Sequence, residues 1–373
     1  MRVRVAYVVG TTTGGTGRHV RMLAAGLVRR GHRVVAAGPR EVGEQFGFSA
    51  AGVRFVEVPV SDRPHPVNDA RAVLAVRRVV RGADVVHAHG LRAGALAALA
   101  MPRRAEAASA SLGAPEGARV PLLVVTLHNA LTAGGFVGAV YGVLERIVAR
   151  RADRVLVVSP DLGERMSALG ARDVRPAVVP APPLREPRRT PGEVRAELGA
   201  GDRPLVLTVA RLAQQKGLET LLDAAAGPWQ GPPPLFAIAG EGPLRGELRR
   251  RIDAERLPVV LLGNRDDVPD LLAAATVAVW ASRWEGLPLS VSETLKAGTP
   301  VIATAVGGVP GLVGDAGILV PYGDPAALRS AVQDLVSDPG EAARWAAAAA
   351  RRGEELPGED DAVRSALAAY SRS

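Results

Sequence analysis

Cysteine is absent from this chain of 373 residues. Its absence excludes disulfide bonds, thiolate metal sites and a cysteine nucleophile, and it fits a reducing compartment. Aromatic residues make up only 3% of the sequence. Because no recognised nucleic-acid motif is present either, we expect no nucleic acid partner. No signal-peptide pattern opens the chain, and no apolar run reaches the roughly 20 residues that span a bilayer. We therefore expect a soluble, cytoplasmic protein.

Lysine is nearly absent, since only Lys216 and Lys296 occur. Residues 1–182 carry 25 arginines against 13 acidic residues, a net charge of +12, whereas residues 183–373 have a net charge of −4. A basic half indicates an anionic partner, either a phosphorylated acceptor or the anionic inner face of a membrane touched peripherally. A solvated arginine-rich surface is the alternative. The clustered arginines are Arg77, Arg78, Arg81, Arg103, Arg104, Arg146, Arg150, Arg151 and Arg154.

Short β-branched runs alternate with helical patterns along the chain, which is typical of parallel βαβ units. The length predicts two domains. The proline-rich stretch 180–195 predicts the linker, because proline continues neither a helix nor a central strand. We expect an α/β protein with two doubly wound Rossmann-like domains facing a cleft, at residues 1–180 and 181–357, followed by a last helix at 358–373.

We predict six strands in each half. Those of the first half lie near 3–9, 33–37, 53–60, 84–89, 122–128 and 154–159, and those of the second near 205–210, 235–239, 259–262, 277–281, 301–304 and 318–320. The small-residue stretch 102–120 predicts a mobile surface loop. Open parallel sheets bind ligands at the carboxyl ends of their strands, so chemistry is expected in the loops that follow them.

The loop 282–293, SRWEGLPLSVSE, follows one such strand and leads into a helix beginning at Leu289 or Ser290. Free N–H groups at such a helix start bind phosphate well. Glu285 and Glu293 lie eight residues apart, and either carboxylate can accept two hydrogen bonds from a vicinal diol of a ribose or hexose. Solvated surface glutamates are the alternative interpretation.

Arg211 and Lys216 lie between the strand near 205–210 and the next helix. Arginine offers a planar fork to phosphate oxygens and lysine a compact charge, so the pair suits a diphosphate. Ordinary solvated charge is the alternative. The scarcity of lysine in this chain favours a function for Lys216.

The glycine-rich loop 10–17, GTTTGGTG, lacks the lysine of a Walker loop and the full dinucleotide-binding fingerprint. It predicts a turn where backbone approaches a ligand closely, or a plain tight turn. His87 and His89 share one face of a strand, and a packing or polar role is expected for His87. His128 ends another strand, where a neutral imidazole can donate to a sugar hydroxyl. Too few further ligands accompany these histidines for zinc, so we expect no metal.

Together these segments resemble the retaining glycosyltransferases of family 4 (group 1), which have the GT-B fold. The resemblance covers nearly the whole chain, and its most specific feature is the R-x4-K-G spacing of Arg211 and Lys216 combined with the Glu285 and Glu293 pair. Departures from the family's usual pattern occur at Ala210, Gly311 and Ala181–Pro183. Other matching segments are HVRMLAAGLVRRGHRVV (19–35), ADVVHAHG (83–90), VVTLHN (124–129) and GGVP (307–310).

The resemblance implies metal-independent transfer of a sugar, with retention, from a nucleotide-diphosphate donor to a hydroxyl of a sugar, small-molecule or lipid-linked acceptor, without a cofactor. The second domain would bind the donor and the first the acceptor, and the last helix would return to the first domain. The implied catalytic residues are His128, Glu285, Arg211 and Lys216. The implied donor-binding residues are Gly15, Arg211, Lys216, Gly263, Asn264, Arg265, Glu285, Gly286, Leu287, Pro288, Leu289 and Glu293. Two alternatives stay open: an epimerase or phosphorylase of the same fold, and a non-catalytic, membrane-associated binding protein derived from it.

Overall fold

The structure, a computed structural model, describes residues 2–12, 14–61, 65–102, 120–129, 135–181 and 183–372. The chain forms two compact units, which are treated separately below. Unit 1 comprises residues 1–180 and 357–373, and unit 2 comprises residues 181–356. The stretch for which a loop was predicted, 102–120, falls almost entirely outside the described residues.

Unit 1 is built on a parallel sheet of seven strands in the order β3-β2-β1-β4-β5-β6-β7. Its strands are β1 (Arg4–Val9), β2 (Arg33–Gly38), β3 (Arg54–Glu57), β4 (Val85–His89), β5 (Leu122–Leu127), β6 (Arg154–Val157) and β7 (Val174–Pro176). All six residues of β5 are buried, as expected of a central parallel strand covered on both faces. Strand β7 was not predicted, because three residues ending in proline show neither an apolar run nor alternation.

Helices connect these strands. They are α1 (Gly15–Arg29), α2 (Arg40–Phe46), α3 (Pro66–Val79), α4 (Leu91–Ala100), α5 (Gly135–Arg151) and α6 (Pro160–Ala168), with a 3₁₀ turn at Phe48–Ala51. The inward face of α1 buries His19, Val20, Leu23 and Leu27, at the spacing of one helix face.

Unit 2 has a parallel sheet of six strands in the order β10-β9-β8-β11-β12-β13. Its elements are α7 (Pro191–Glu197), β8 (Leu205–Val209), α8 (Leu218–Ala225), β9 (Leu235–Ala239), α9 (Arg245–Glu255), β10 (Val259–Gly263), α10 (Val268–Ala274), β11 (Val277–Trp280), α11 (Leu289–Lys296), β12 (Val301–Thr304), α12 (Val309–Val313), β13 (Ile318–Val320), α13 (Pro325–Ser337) and α14 (Pro339–Glu355). Val206 belongs to one core cluster and Leu205 and Leu207 to another. Neighbouring side chains of a strand point to opposite faces, so each face of the sheet has its own core.

The last helix, α15 (Glu359–Tyr370), belongs to unit 1. It packs on α1, where a Cβ at Gly26 would lie 2.5 Å from Val363 Cγ2. Its final residue is buried, and the Tyr370 hydroxyl lies 3.0 Å from that of Tyr7 in β1. The glycine at position 26 therefore allows the close approach that brings the end of α15 to the sheet.

Arg154 corrects one expectation about the surface. It was grouped with the clustered arginines expected to meet an anionic partner, but its side chain is only 6% exposed and is paired with Asp173 at 2.8 Å. Its guanidinium also donates to the carbonyl of Ala369 at 2.6 Å. Position 154 starts β6 within the sheet, so this charge is part of the interior. Two other members of the group, Arg103 and Arg104, lie outside the described residues.

Candidate active site

Lys216 and Glu285 form an ion pair in unit 2, with Nζ 2.5 Å from Oε1. Lys216 ends a short 3₁₀ turn after β8, and Glu285 lies in the loop after β11. Because β8 and β11 are parallel neighbours, the loops at their carboxyl ends meet. Ser282 Oγ donates to the same carboxylate oxygen at 2.7 Å. Glu285 is only 4% exposed, and a buried carboxylate requires such partners.

Close backbone packing fixes these loops. Gly307 has φ +54°, and a Cβ there would lie 1.9 Å from the carbonyl oxygen of Glu285. The same carbonyl accepts a hydrogen bond from the N–H of Gly308 at 3.0 Å. Gly217 follows Lys216 at φ +57°, and a Cβ there would lie 2.0 Å from the carbonyl oxygen of Ala281. Only glycine fits both positions, so the positions of Lys216 and Glu285 are determined by backbone as well as by their ion pair.

Helix α11 begins beside this pair. Among the described residues no side chain caps its start, where Pro288 is the N-cap residue. Ser290, in the first turn of the helix, accepts through its Oγ from the indole N–H of Trp280 at 3.1 Å. The first helical bond runs from Val291 N to Pro288 O at 3.0 Å, so the N–H groups of Leu289 and Ser290 precede the helical ladder. Such a start binds an anion through N–H groups and the helix dipole.

Arg211 and Arg265 differ sharply in their surroundings. Arg211 is the second residue after β8 and is exposed. Its guanidinium makes no hydrogen bond or ion pair within the part of the chain that the structure describes. Arg265 is bound by Asp267 at 2.6 Å and by Glu197 at 2.9 Å. The hydrogen bond from Arg265 lowers the pKa of Asp267. Arg211 is therefore open to an anionic ligand, whereas the Arg265 side chain is committed to a structural ion-pair network.

The remaining predicted donor residues lie around the same edge of the unit 2 sheet. Gly263 ends β10 at φ +72°, and Asn264 after it is exposed. Glu293 lies one turn into α11 and is half-buried. The other predicted members of this loop precede or begin α11; they are Gly286, Leu287, Pro288 and Leu289. The structure thus brings the Lys216–Glu285 pair and the start of α11 together, and their roles toward a ligand remain predictions.

Unit 1 has its own cavity, of about 260 Å³, at the carboxyl ends of β1, β4 and β5. Gly10, Thr16, His89 and His128 are among its lining residues. Gly15 is the first residue of α1, next to Thr16. The cavity therefore contains the end of the glycine-rich loop and the histidine for which a ligand contact was predicted.

Four histidines lie together beside this cavity, and we refer to His19, His87, His89 and His128 as the histidine set. His87 Nδ1 is 2.7 Å from the Tyr370 hydroxyl and its Nε2 is 2.7 Å from Thr126 Oγ1, which confirms its predicted polar role. His89 Nδ1 lies 3.1 Å from His128 Nε2. The rings of His87 and His89 are 4.2 Å apart. Sequence reasoning missed His19, for which the only signal is its place on the apolar face of α1.

Burial keeps the histidine set neutral. It lowers the pKa of His128 to about 4 and that of His87 to about 3. For His19 and His89, burial and then neighbouring histidines lower the pKa well below its usual value. Neutral imidazoles can both donate and accept, which suits hydrogen bonding to the uncharged oxygens of a ligand.

Comparison with known proteins agrees with this architecture. Two family sequence models match the chain: "Glycosyl transferase 4-like domain" over residues 14–182 and "Glycosyl transferases group 1" over residues 192–352. HepE of Anabaena, solved in complex with UDP and glucose, superposes with a TM-score of 0.77 at 19% identity over 100% of both chains. Two parallel Rossmann-like sheets and this structural neighbour define a GT-B fold.

Curated relatives include the α-D-kanosaminyltransferase of Streptomyces kanamyceticus, which is 34% identical over 39% of this chain and 40% of its own length. The 2-deoxystreptamine N-acetyl-D-glucosaminyltransferase of Streptomyces fradiae is 34% identical over 52% of this chain and 49% of its own length. The chain thus spans half or less of the length of these relatives. It belongs to the group 1 glycosyltransferases of GT-B fold.

Proposed function

We propose that the protein transfers a sugar from a nucleotide-diphosphate donor to an acceptor hydroxyl, with retention of anomeric configuration and without a metal ion. The observation that carries the proposal is the ion pair between half-buried Lys216 and buried Glu285, which lies beside the uncapped start of α11 at the carboxyl edge of the unit 2 sheet. Open α/β sheets bind nucleotides at this edge. Family membership supports the reaction class.

The donor diphosphate would lie between Arg211, Lys216 and the first N–H groups of α11. Glu285 Oε1 is taken by Lys216 and Ser282, whereas Oε2 accepts no hydrogen bond from the described residues. We assign Oε2 to hydroxyls of the transferred sugar. Glu293, one turn further along α11, is assigned to the ribose, because a carboxylate accepts from both hydroxyls of a diol.

In the reaction the bond between the anomeric carbon and the diphosphate oxygen breaks, and a bond to the acceptor oxygen forms on the same face of the sugar. The acceptor's proton passes to the departing phosphate oxygen, and a glycoside and a nucleoside diphosphate are released. Arg211, Lys216 and the helix dipole stabilise the negative charge that develops on the leaving diphosphate. These fixed positive groups supply the charge stabilisation that a metal ion supplies elsewhere, which supports metal independence.

Calorimetry tests the donor site. Arg211→Ala and Lys216→Ala should each weaken binding of a nucleoside diphosphate by about 1.5–3 kcal/mol, the range for charge-assisted hydrogen bonds. Lys296→Ala is the matched control, because Lys296 ends α11 with its amine 3.4 Å from the carbonyl of Ala181. Equal affinity in all three variants and the wild type would remove Arg211 and Lys216 from the site.

Product analysis tests the reaction. UDP-sugars come first, because HepE was solved with UDP and glucose, and small polyhydroxylated acceptors come first because one Streptomyces relative is named for 2-deoxystreptamine. The product's anomeric proton coupling should show retention, and transfer should persist in EDTA. An inverted product would refute retention, and activity lost in chelator and restored by manganese or magnesium would refute metal independence.

The basic unit 1 is further proposed to dock on an anionic membrane when the acceptor is lipid-linked. Within the described residues no helix has the length and apolarity needed to cross a bilayer. On α3, Val67, Arg71, Leu74 and Arg78 are exposed at the spacing of one helix face. Exposed leucine and valine beside exposed arginine suits the boundary between headgroups and acyl chains.

Helix α5 repeats this arrangement, with Val143, Arg146 and Arg150 exposed on one face. Each basic residue near an anionic surface contributes about 1 kcal/mol, so Arg146→Gln with Arg150→Gln should weaken vesicle binding roughly 30-fold. Arg249→Gln with Arg250→Gln, on exposed α9 of unit 2, is the matched control. If the wild type does not sediment with anionic vesicles at low salt, membrane docking is refuted and these arginines form a solvated surface.

A further inference from the structure

His89 and His128 share a hydrogen bond in which one neutral imidazole must donate and the other must accept. The bond joins His89 Nδ1 to His128 Nε2 at 3.1 Å. It follows from the register of the sheet, which pairs His89 at the end of β4 with Thr126 in β5, two residues before His128. Both rings are held neutral by burial, which lowers the pKa of each.

The direction of this bond is decided by the other nitrogen of His89. His89 Nε2 is buried and has no hydrogen-bond partner in the described part of the chain. If His128 donated, His89 would carry its proton on Nε2 as a buried N–H without an acceptor, and such orphaned donors are rare in proteins. If His89 donates from Nδ1, its Nε2 is a bare lone pair and no N–H is orphaned.

The ring of His87 packs against the ring of His89. Both nitrogens of His87 are engaged, one with Tyr370 and one with Thr126. Its ring centroid lies 4.2 Å from that of His89. The imidazole of His89 therefore packs against a ring, that of His87, which is hydrogen-bonded through both of its nitrogens.

We propose that His89 is a positioning residue whose Nδ1–H donates to His128 Nε2 and so holds the proton of His128 on Nδ1. The nitrogen that carries the proton of a histidine is set by the hydrogen bond that its other nitrogen makes. His128 lines the unit 1 cavity and offers a ligand there an N–H donor. A His128 N–H donor binds an oxygen acceptor, such as a sugar hydroxyl or ring oxygen, and disfavours an ammonium group. Only the identification of the ligand as a sugar rests on the proposed function.

Two-bond ¹H–¹⁵N correlation spectra of the ligand-free protein at pH 8 test the tautomer directly. The chain has six histidines, and His128→Gln and His89→Asn assign the two that matter by loss of their signals. We expect His128 and His89 both as the Nδ1–H form. Finding His128 as the Nε2–H form would overturn the proposal.

Two variants test the dependence on His89. In His89→Asn the side-chain amide occupies nearly the position of Nδ1 and keeps a donor, whereas His89→Leu removes it. In His89→Leu we expect the proton of His128 to be no longer held on Nδ1, so that the Nε2–H form appears. We also expect kcat/KM to fall about tenfold, the effect of one neutral hydrogen bond. His89→Asn should keep both the Nδ1–H form and the wild-type kcat/KM. A His128 tautomer that is unchanged in His89→Leu would overturn the proposal. Absence of sugar transfer in the wild type would refute the proposed function, and the spectra would still decide the tautomer.

Discussion

Mild acid should destabilise unit 1 selectively, because all six histidines lie in residues 1–128 and the most buried ones have lowered pKa values. A histidine with a folded pKa below the unfolded value of about 6.5 binds more protons when unfolded. The free-energy cost of keeping this histidine neutral in the folded state is therefore absent above pH 6.5, and it grows as the pH falls toward the folded pKa. Unit 2 has no histidine and is the internal control.

The magnitude follows from the two pKa values. At pH 5 the unfolded chain is protonated at His87 and His128 and the folded chain is not, since their folded pKa values are about 3 and about 4. Each then costs about 2 kcal/mol relative to pH 8, at about 1.4 kcal/mol per pH unit below 6.5. The sum of about 4 kcal/mol is large beside a domain stability of about 5–15 kcal/mol. His19 and His89 act in the same direction.

Urea unfolding at pH 8 and pH 5 measures this effect. All four tryptophans lie in unit 2, so indole fluorescence follows unit 2 and circular dichroism follows the whole chain. At pH 5 part of the dichroism transition should move to lower urea while the fluorescence midpoint stays nearly in place. His19→Met, which removes a buried ring whose Nδ1 has no partner among the described residues, should reduce the shift. His65→Asn, an exposed capping position, should not. A dichroism midpoint equal at both pH values would refute the reasoning.

Three further outcomes are expected. Gly307→Ala should lower both the fluorescence-detected urea midpoint and the nucleotide affinity, because the new Cβ would lie 1.9 Å from the Glu285 carbonyl oxygen. Gly311→Ala is the control and should change neither, because a Cβ there meets nothing within 4 Å; equal effects of the two substitutions would contradict the packing argument. Glu285→Gln should lower kcat/KM about 10–100-fold while calorimetry shows no loss of nucleoside diphosphate affinity, and a parallel loss of both would place Glu285 on the diphosphate. Tyr370→Phe leaves Nδ1 of His87 without its partner and should cost unit 1 about 1–3 kcal/mol by dichroism, so an unchanged midpoint would show that this bond contributes nothing.

Strands were predictable where buried parallel pairing requires continuous apolar residues, as in β5 and β12. The strand predicted at 53–60 is shorter in the structure and covers only Arg54–Glu57. Pro59 lies in the predicted run, and proline cannot donate to a sheet ladder. Strand β7 escaped because three residues are too few to show a period. The strand at 53–60 was therefore predicted too long because of the proline within it, and β7 was missed because it is so short.

The candidate site was predictable residue by residue and not as a set of contacts. The roles suggested for Lys216 and Glu285 came from their local spacing, but their bond to each other joins positions 69 apart. The histidine set depends on a helix face, two neighbouring strands and the chain's last helix, and no local pattern encodes that meeting. The pairing of Arg265 with Asp267 is the opposite case, because an arginine two residues before an aspartate is a short-range pair that the sequence shows.

The hydrogen bond between Tyr7 and Tyr370 spans 363 positions, and this has a consequence for the order of events during synthesis. Unit 2 is an uninterrupted stretch that can fold as soon as it has emerged, whereas the first strand of unit 1 must wait for its last helix. At about 5–20 residues per second, the roughly 360 residues between the two tyrosines take about 20–70 s to make. Throughout that interval Tyr7 on β1 and His87 on β4 lack the tyrosine to which both are hydrogen-bonded in the folded unit. The first half of the chain therefore leaves the ribosome first, but unit 1 is the last to be completed.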